Sequence, residues 1–132
     1  GLDFRYGWTA VSVALQFAGA LLLLPAMVLP YWAMAVNRNL EATVRIQDDR
    51  GHQVCTAGPY RAVRHPMYVG AIALYLAMPL LLDSWWAFVP GGLAALAFVV
   101  RTALEDRTLR QELPGYIDYA QKTRYRLLPG VW

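Results

Sequence analysis

Residues 58–70, GPYRAVRHPMYVG, gather two arginines, one of the chain's two histidines and two tyrosines directly ahead of an apolar run. His65 precedes Pro66, whose ring pushes the residue before it toward an extended conformation and suits the first turn of a helix. A helix amino end is therefore expected at Pro66, surrounded by Arg61, Arg64 and His65, with free N–H groups and the positive end of the dipole. That chemistry suits a carboxylate or a phosphate. Tyr60 and Tyr68 offer ring faces for a heterocycle or a cation, and Gly70 lets a ligand or a neighbouring helix come close. The same residues also fit an interfacial belt of snorkelling arginines and anchoring tyrosines, and both readings stay open at this level.

A second constellation lies further along. Arg101 and Glu105 are one helical turn apart, with Thr108 and Glu112 on the same face and Ala94 and Ala97 continuing it the other way. Small residues above a charged pair would leave a recess reaching from water into an apolar layer, where a polar reagent could meet a lipid-like one. Charges at a membrane edge are functional candidates, although an ion pair that simply ends a span has the same appearance.

The elements that must carry these residues follow from composition. Of 132 residues, 58% are hydrophobic and only 16% charged, which is unusual for a soluble domain. Residues 6–36 contain no charge, and neither do 66–82 and 84–100, which meet at Asp83. We expect an all-α integral membrane fold with about three transmembrane helices, at residues 8–36, 66–82 and 84–101, the last two forming a hairpin. Of the twelve Lys and Arg, only Arg5 lies outside residues 37–65 and 101–132, so the positive-inside rule places both polar segments in the cytoplasm. The chain start and the Asp83 turn then share the opposite side. Trp8, Trp85 and Trp86 are expected at the outer boundary, and Tyr31 with Trp32 at the inner one.

In the first polar segment, EATVRIQ alternates as a strand does, and DDRG supplies a turn before HQVCT, which predicts a short β-hairpin. The last helix should run on to about Glu112, stop near Pro114 and restart in GYIDYAQKTRY as a C-terminal helix. The net charge of +3 is a topology signal, since acidic residues interleave with the basic ones, and nothing points to nucleic acid. The single cysteine, Cys55, excludes an internal disulfide, and neither His52 nor His65 has partners at zinc-ligand spacing, so no metal is expected. The start Gly-Leu-Asp has no cationic n-region, so the first run is not read as a signal peptide, and a preceding N-terminal part is expected.

GPYRAVRHPMYVG, followed by RTALEDRTL and GYIDYAQKTRYRLLP, resembles the isoprenylcysteine carboxyl methyltransferase family and its relatives the phospholipid methyltransferases, from about Val44 onward. The resemblance implies a single multi-pass membrane methyltransferase domain across residues 1–132, using S-adenosylmethionine on a lipophilic acceptor at the cytoplasmic face. It implies that His52, Gln53, Val54 and Cys55, with Gln47, form a backbone strip holding the cofactor. Tyr60, His65, Pro66, Met67 and Tyr68 would surround it, Glu105 would bind it from the third helix, and Arg101 would face the acceptor. The family's acidic pair stands here as Glu105 and Asp106. The acceptor is left open between an isoprenylcysteine-like carboxylate and a phospholipid amine. Membrane sterol reductases using NADPH carry a related Arg-His-Pro motif and are the alternative, followed by a non-catalytic membrane protein. Their motif tends toward Arg-His-Pro-Asn-Tyr, whereas Met67 precedes Tyr68 here.

Overall fold

A computed structural model describes residues 2–37 and 54–132, and within them every regular element is helical. In chain order these are α1 (Leu2–Tyr6), α2 (Val13–Val36), a 3₁₀ turn (Gly58–Arg61), α3 (Pro66–Leu81), α4 (Phe88–Glu112) and α5 (Tyr116–Lys122). The expected β-hairpin falls largely on residues 38–53, outside the described residues.

Two helices, α2 with 24 residues and α4 with 25, are long and apolar enough to cross a membrane. Only 11% of each apolar window is buried, so these are not core helices of a water-soluble bundle: Phe17, Leu21 and Leu24 on α2, and Leu93, Leu96 and Val100 on α4, are exposed. The third expected span, α3, is equally apolar but has 16 residues, about 24 Å at 1.5 Å per residue, short of the roughly 30 Å hydrocarbon core. Three full spans are thus not established; two helices are long and apolar enough to span, with a shorter apolar helix between them in sequence.

The packing of α3 explains why it can be short and still central. Along α2 the buried residues are Gly19, Ala26 and Ala33, spaced by seven, and α3 meets Ala26 with Gly70 and Gly19 with Ala77. A Cβ on Gly70 would lie 2.5 Å from Cδ of Pro30 and 3.1 Å from the Ala26 carbonyl oxygen; on Gly19 it would lie 2.8 Å from Cβ of Leu80. The backbones therefore touch along a seam of small residues, the arrangement that lets helices associate where burial from water contributes little. The space foreseen at Gly70 is filled by a neighbouring helix rather than a ligand. On the other flank of α3, Gly91 of α4 fits against the Tyr75 carbonyl and the Pro79 ring.

The chain start and the Asp83 turn share one end of the bundle, as expected. Asp83 sits at φ 53°, a left-handed conformation that Asp adopts more readily than most residues, and its carboxylate accepts from the Val11 N–H at 2.6 Å. Asp3 accepts from the Thr9 N–H at 2.9 Å and from the Ser84 hydroxyl, and the Trp85 indole donates to the Ala10 carbonyl at 3.1 Å. These bonds correct two boundaries. Residues 8–12 and 84–87 serve the latch rather than the spans, so α2 begins at Val13, capped by Ser12, and α4 begins at Phe88. Trp8, Trp85 and Trp86 are exposed at this end.

At the opposite end α4 runs to Glu112 and Pro114 prevents its continuation. Gly115, at φ 79°, turns the chain into α5. Both stop and restart lie where the sequence placed them.

Candidate functional site

The motif loop is fixed before it reaches α3. Gly58, at φ 54°, lies so close to Trp32 that a Cβ would be 3.0 Å from the indole nitrogen, which seats the 3₁₀ turn on the end of α2. Tyr60 is buried there, its hydroxyl accepting from Asn37 Nδ2 at 3.1 Å and its carbonyl accepting from the Tyr119 hydroxyl at 2.7 Å. Burial holds its phenol above the ordinary tyrosine range. Val54 and Cys55 pack beside it against a core of Ala33, Leu113, Tyr116, Tyr119 and Ala120, with Met67 joining from α3.

His65 caps α3 with φ −124° and ψ 61°, outside the helix, and buried Pro66 is the first helical residue, as the sequence predicts. One turn further, the Tyr68 hydroxyl donates to Glu105 Oε2 at 2.6 Å and accepts from Arg101 Nε at 2.8 Å. The two charges on α4 do share a face, and with Nε and Oε2 4.0 Å apart the phenol bridges them. The Arg101 guanidinium carbon lies 5.7 Å from the Tyr68 ring centroid. The His65 ring stacks on Tyr68, 5.7 Å between centroids and 3° between planes, with Nδ1 3.8 Å from Glu105 Oε1. Four expected site residues from two helices thus form one cluster. Glu105 is partly exposed, and the Arg101 side chain is 44% exposed.

Arg64 departs from its expected role. Only 2% of its side chain is exposed, and it is not available to an anion: Nε and Nη2 bind Asp106 at 2.7 and 3.2 Å, and Nη1 donates to the Thr123 and Arg124 carbonyls. Asp106 is fully buried and also accepts from Arg110 Nε at 3.0 Å, Arg126 Nε at 3.0 Å and the Tyr116 hydroxyl at 2.9 Å. Of the neighbouring acids on α4, Glu105 faces the cluster and Asp106 faces the interior, since adjacent helical residues point about 100° apart. The sequence reading missed this hub. Its one local signal was the four-residue spacing of Asp106 and Arg110, because the other partners come from distant segments.

An open recess of about 590 Å³ lies elsewhere, between Val54, Thr56 and Arg61 on one side and Asp118, Tyr119 and Lys122 on the other. None of Tyr68, Arg101 and Glu105 lines it. Three expected cofactor residues, Gln47, His52 and Gln53, lie outside the described residues.

Against known proteins, residues 14–113 match the phospholipid methyltransferase family. The chain belongs to that family. The matched region contains the Tyr68, Arg101 and Glu105 cluster and nearly all of both long apolar helices. The chain is also 30% identical over 97 residues to the cobalt-zinc-cadmium resistance protein CzcN of Cupriavidus metallidurans, covering 69% of this chain and 43% of that one. The chain therefore spans less than half the length of that relative. No solved structure matches it at a significant level.

Proposed function

We propose that this chain transfers a methyl group from S-adenosylmethionine to a lipophilic acceptor at the cytoplasmic edge of the membrane. The carrying observation is the Tyr68 bridge: a carboxylate and a guanidinium share one phenol at the amino end of an apolar helix. The residues present fit the cofactor by their chemistry. Glu105 is a partly exposed carboxylate that could receive ammonium or ribose hydroxyl donors, its negative charge suits a sulfonium, and the His65 and Tyr68 rings lie beside it. Val54, Cys55, Tyr60, Pro66 and Met67 would complete its surroundings, together with Gln47, His52 and Gln53.

When bound, the cofactor supplies an electrophilic methyl group together with its own leaving group. The chain is then left with positioning and electrostatics. Arg101, held by Tyr68 at its Nε, would orient an anionic acceptor, either a carboxylate or the phosphate of a phospholipid. An amine acceptor must also lose a proton, for which Glu105, with Oε2 4.0 Å from Arg101 Nε, is placed to serve as base. Family membership favours the phospholipid amine, while the isoprenylcysteine-like carboxylate belongs to the wider resemblance.

Ligand-dependent melting tests the reading. S-adenosylhomocysteine should raise the melting temperature of the detergent-solubilised protein and NADPH should not, because only a ligand of the native state stabilises it. A shift with NADPH alone would replace the methyltransferase by a reductase.

A further inference from the structure

We propose that Asp106 is the positioning residue of this site, acting as a clamp that holds residues 123–126 across the amino end of α3. Arg126 and Tyr116, beyond the matched residues 14–113, then help place His65 and Tyr68. The inference rests on reading residues 65–68 and Glu105 as the cofactor surface.

Three observations carry it. First, Asp106 has no capacity left for a ligand. A carboxylate offers about four lone-pair sites, and this buried one already accepts from Arg64, Arg110, Arg126 and Tyr116, the first through two nitrogens. Second, its partners come from the motif loop, α4, α5 and the C-terminal segment, so one carboxylate joins four stretches of chain. The same segments are also stitched by backbone: the Arg64 N–H donates to the Tyr125 carbonyl and the His65 N–H to the Arg126 carbonyl, each at 2.9 Å. Arg126 is itself anchored, its N–H donating to the Trp132 carbonyl at 2.8 Å and its guanidinium lying 4.7 Å from the Trp132 ring centroid.

Third, the His65 ring does not hold itself in place through Nε2. Among the described residues that nitrogen is buried without a hydrogen bond, 3.7 Å from Asp106 Oδ1. The ring's position is set by its backbone, which the clamp fixes, and by stacking on Tyr68. Asp106 thus acts on the site through Arg64 and residues 123–126.

The test uses Arg126→Gln, which removes one arm and leaves the Arg64 and Asp106 pair intact. In hydrogen exchange of the full chain in detergent, peptides covering residues 61–70 should exchange about fivefold faster or more, while those covering 71–81 stay at the wild-type rate. Affinity for S-adenosylhomocysteine should fall about tenfold, with turnover on a lipid extract within about twofold of wild type at saturating cofactor, because a site that is less often assembled lowers apparent affinity by its population. Arg126→Lys, which keeps the charge, should recover most of the affinity. Unchanged exchange at 61–70, or uniform loosening along the chain, overturns the clamp. So does a lower melting temperature with unaltered affinity, which would make Arg126 merely structural. Turnover that saturating cofactor fails to restore overturns it too, by placing Arg126 in the reaction. Failure of the wild-type protein to bind S-adenosylhomocysteine sinks the cofactor reading instead, and the exchange pattern still decides the clamp.

Discussion

At the scale of single residues, Glu105 and Arg101 are assigned different work although one phenol connects them. Glu105→Gln keeps nearly the same shape and loses the charge, so S-adenosylmethionine binding should weaken by about 1.5–3 kcal/mol, measured by calorimetry. Arg101→Ala should leave that affinity within about threefold while removing most turnover, because the acceptor loses its orienting cation. Equal loss of cofactor binding in both variants would mean that the pair acts as one unit through Tyr68. The buried tyrosines of α5 yield a separate expectation. Burial, reinforced by the Asp106 charge, holds the Tyr116 phenol well above its ordinary value of 10.0, and burial does the same for Tyr119. A phenol that ionises freely only when unfolded favours the unfolded state at alkaline pH. Stability should therefore be unaffected by these groups below pH 10 and should fall as pH rises beyond it, a fall that Tyr116→Phe should lessen in a melting series. That His65, Tyr68, Arg101 and Glu105 come together was legible from the Arg-His-Pro motif and the one-turn spacing on α4. Asp106 was not, because its role rests on Arg64, Tyr116 and Arg126, and contacts across such separations leave no local pattern.

At the scale of elements, the seam between α2 and α3 decides how the motif is presented. Gly70→Ala would drive a methyl group into the rigid Pro30 ring, and such overpacking should cost about 1–3 kcal/mol. Gly92→Ala, on α4 with nothing within 4 Å of the new methyl, should be neutral or slightly stabilising. Melting of the two variants in detergent checks the pair, and equal effects would deny the seam. Helix existence was legible from the uncharged runs, and so were the Pro114 stop and the α5 restart. The starts of α2 and α4 were misjudged because apolarity alone cannot reveal that Asp3, Thr9 and Asp83 bind backbone and side chains across the end of the bundle. The bounds of α3 were legible to within one residue, Leu82 expected and Leu81 found as its end.

At the scale of the whole molecule, the exposed apolar faces of α2 and α4 flank a polar end that holds the Tyr68 cluster. An acceptor reaching Arg101 would enter sideways from the bilayer. Turnover should favour acceptors with long apolar chains, each buried methylene contributing roughly 0.8 kcal/mol, and equal efficiency with a short soluble analogue would contradict lateral entry. The central claim is methyl transfer itself, and the most direct measurement incubates the purified protein with methyl-labelled S-adenosylmethionine and a membrane lipid extract, then follows the label into the organic phase. The account predicts labelled lipid with the wild-type protein and a large loss of it with Arg101→Ala. Absence of labelled lipid from a folded protein that binds S-adenosylhomocysteine, across extracts containing both amine and carboxylate acceptors, would contradict it.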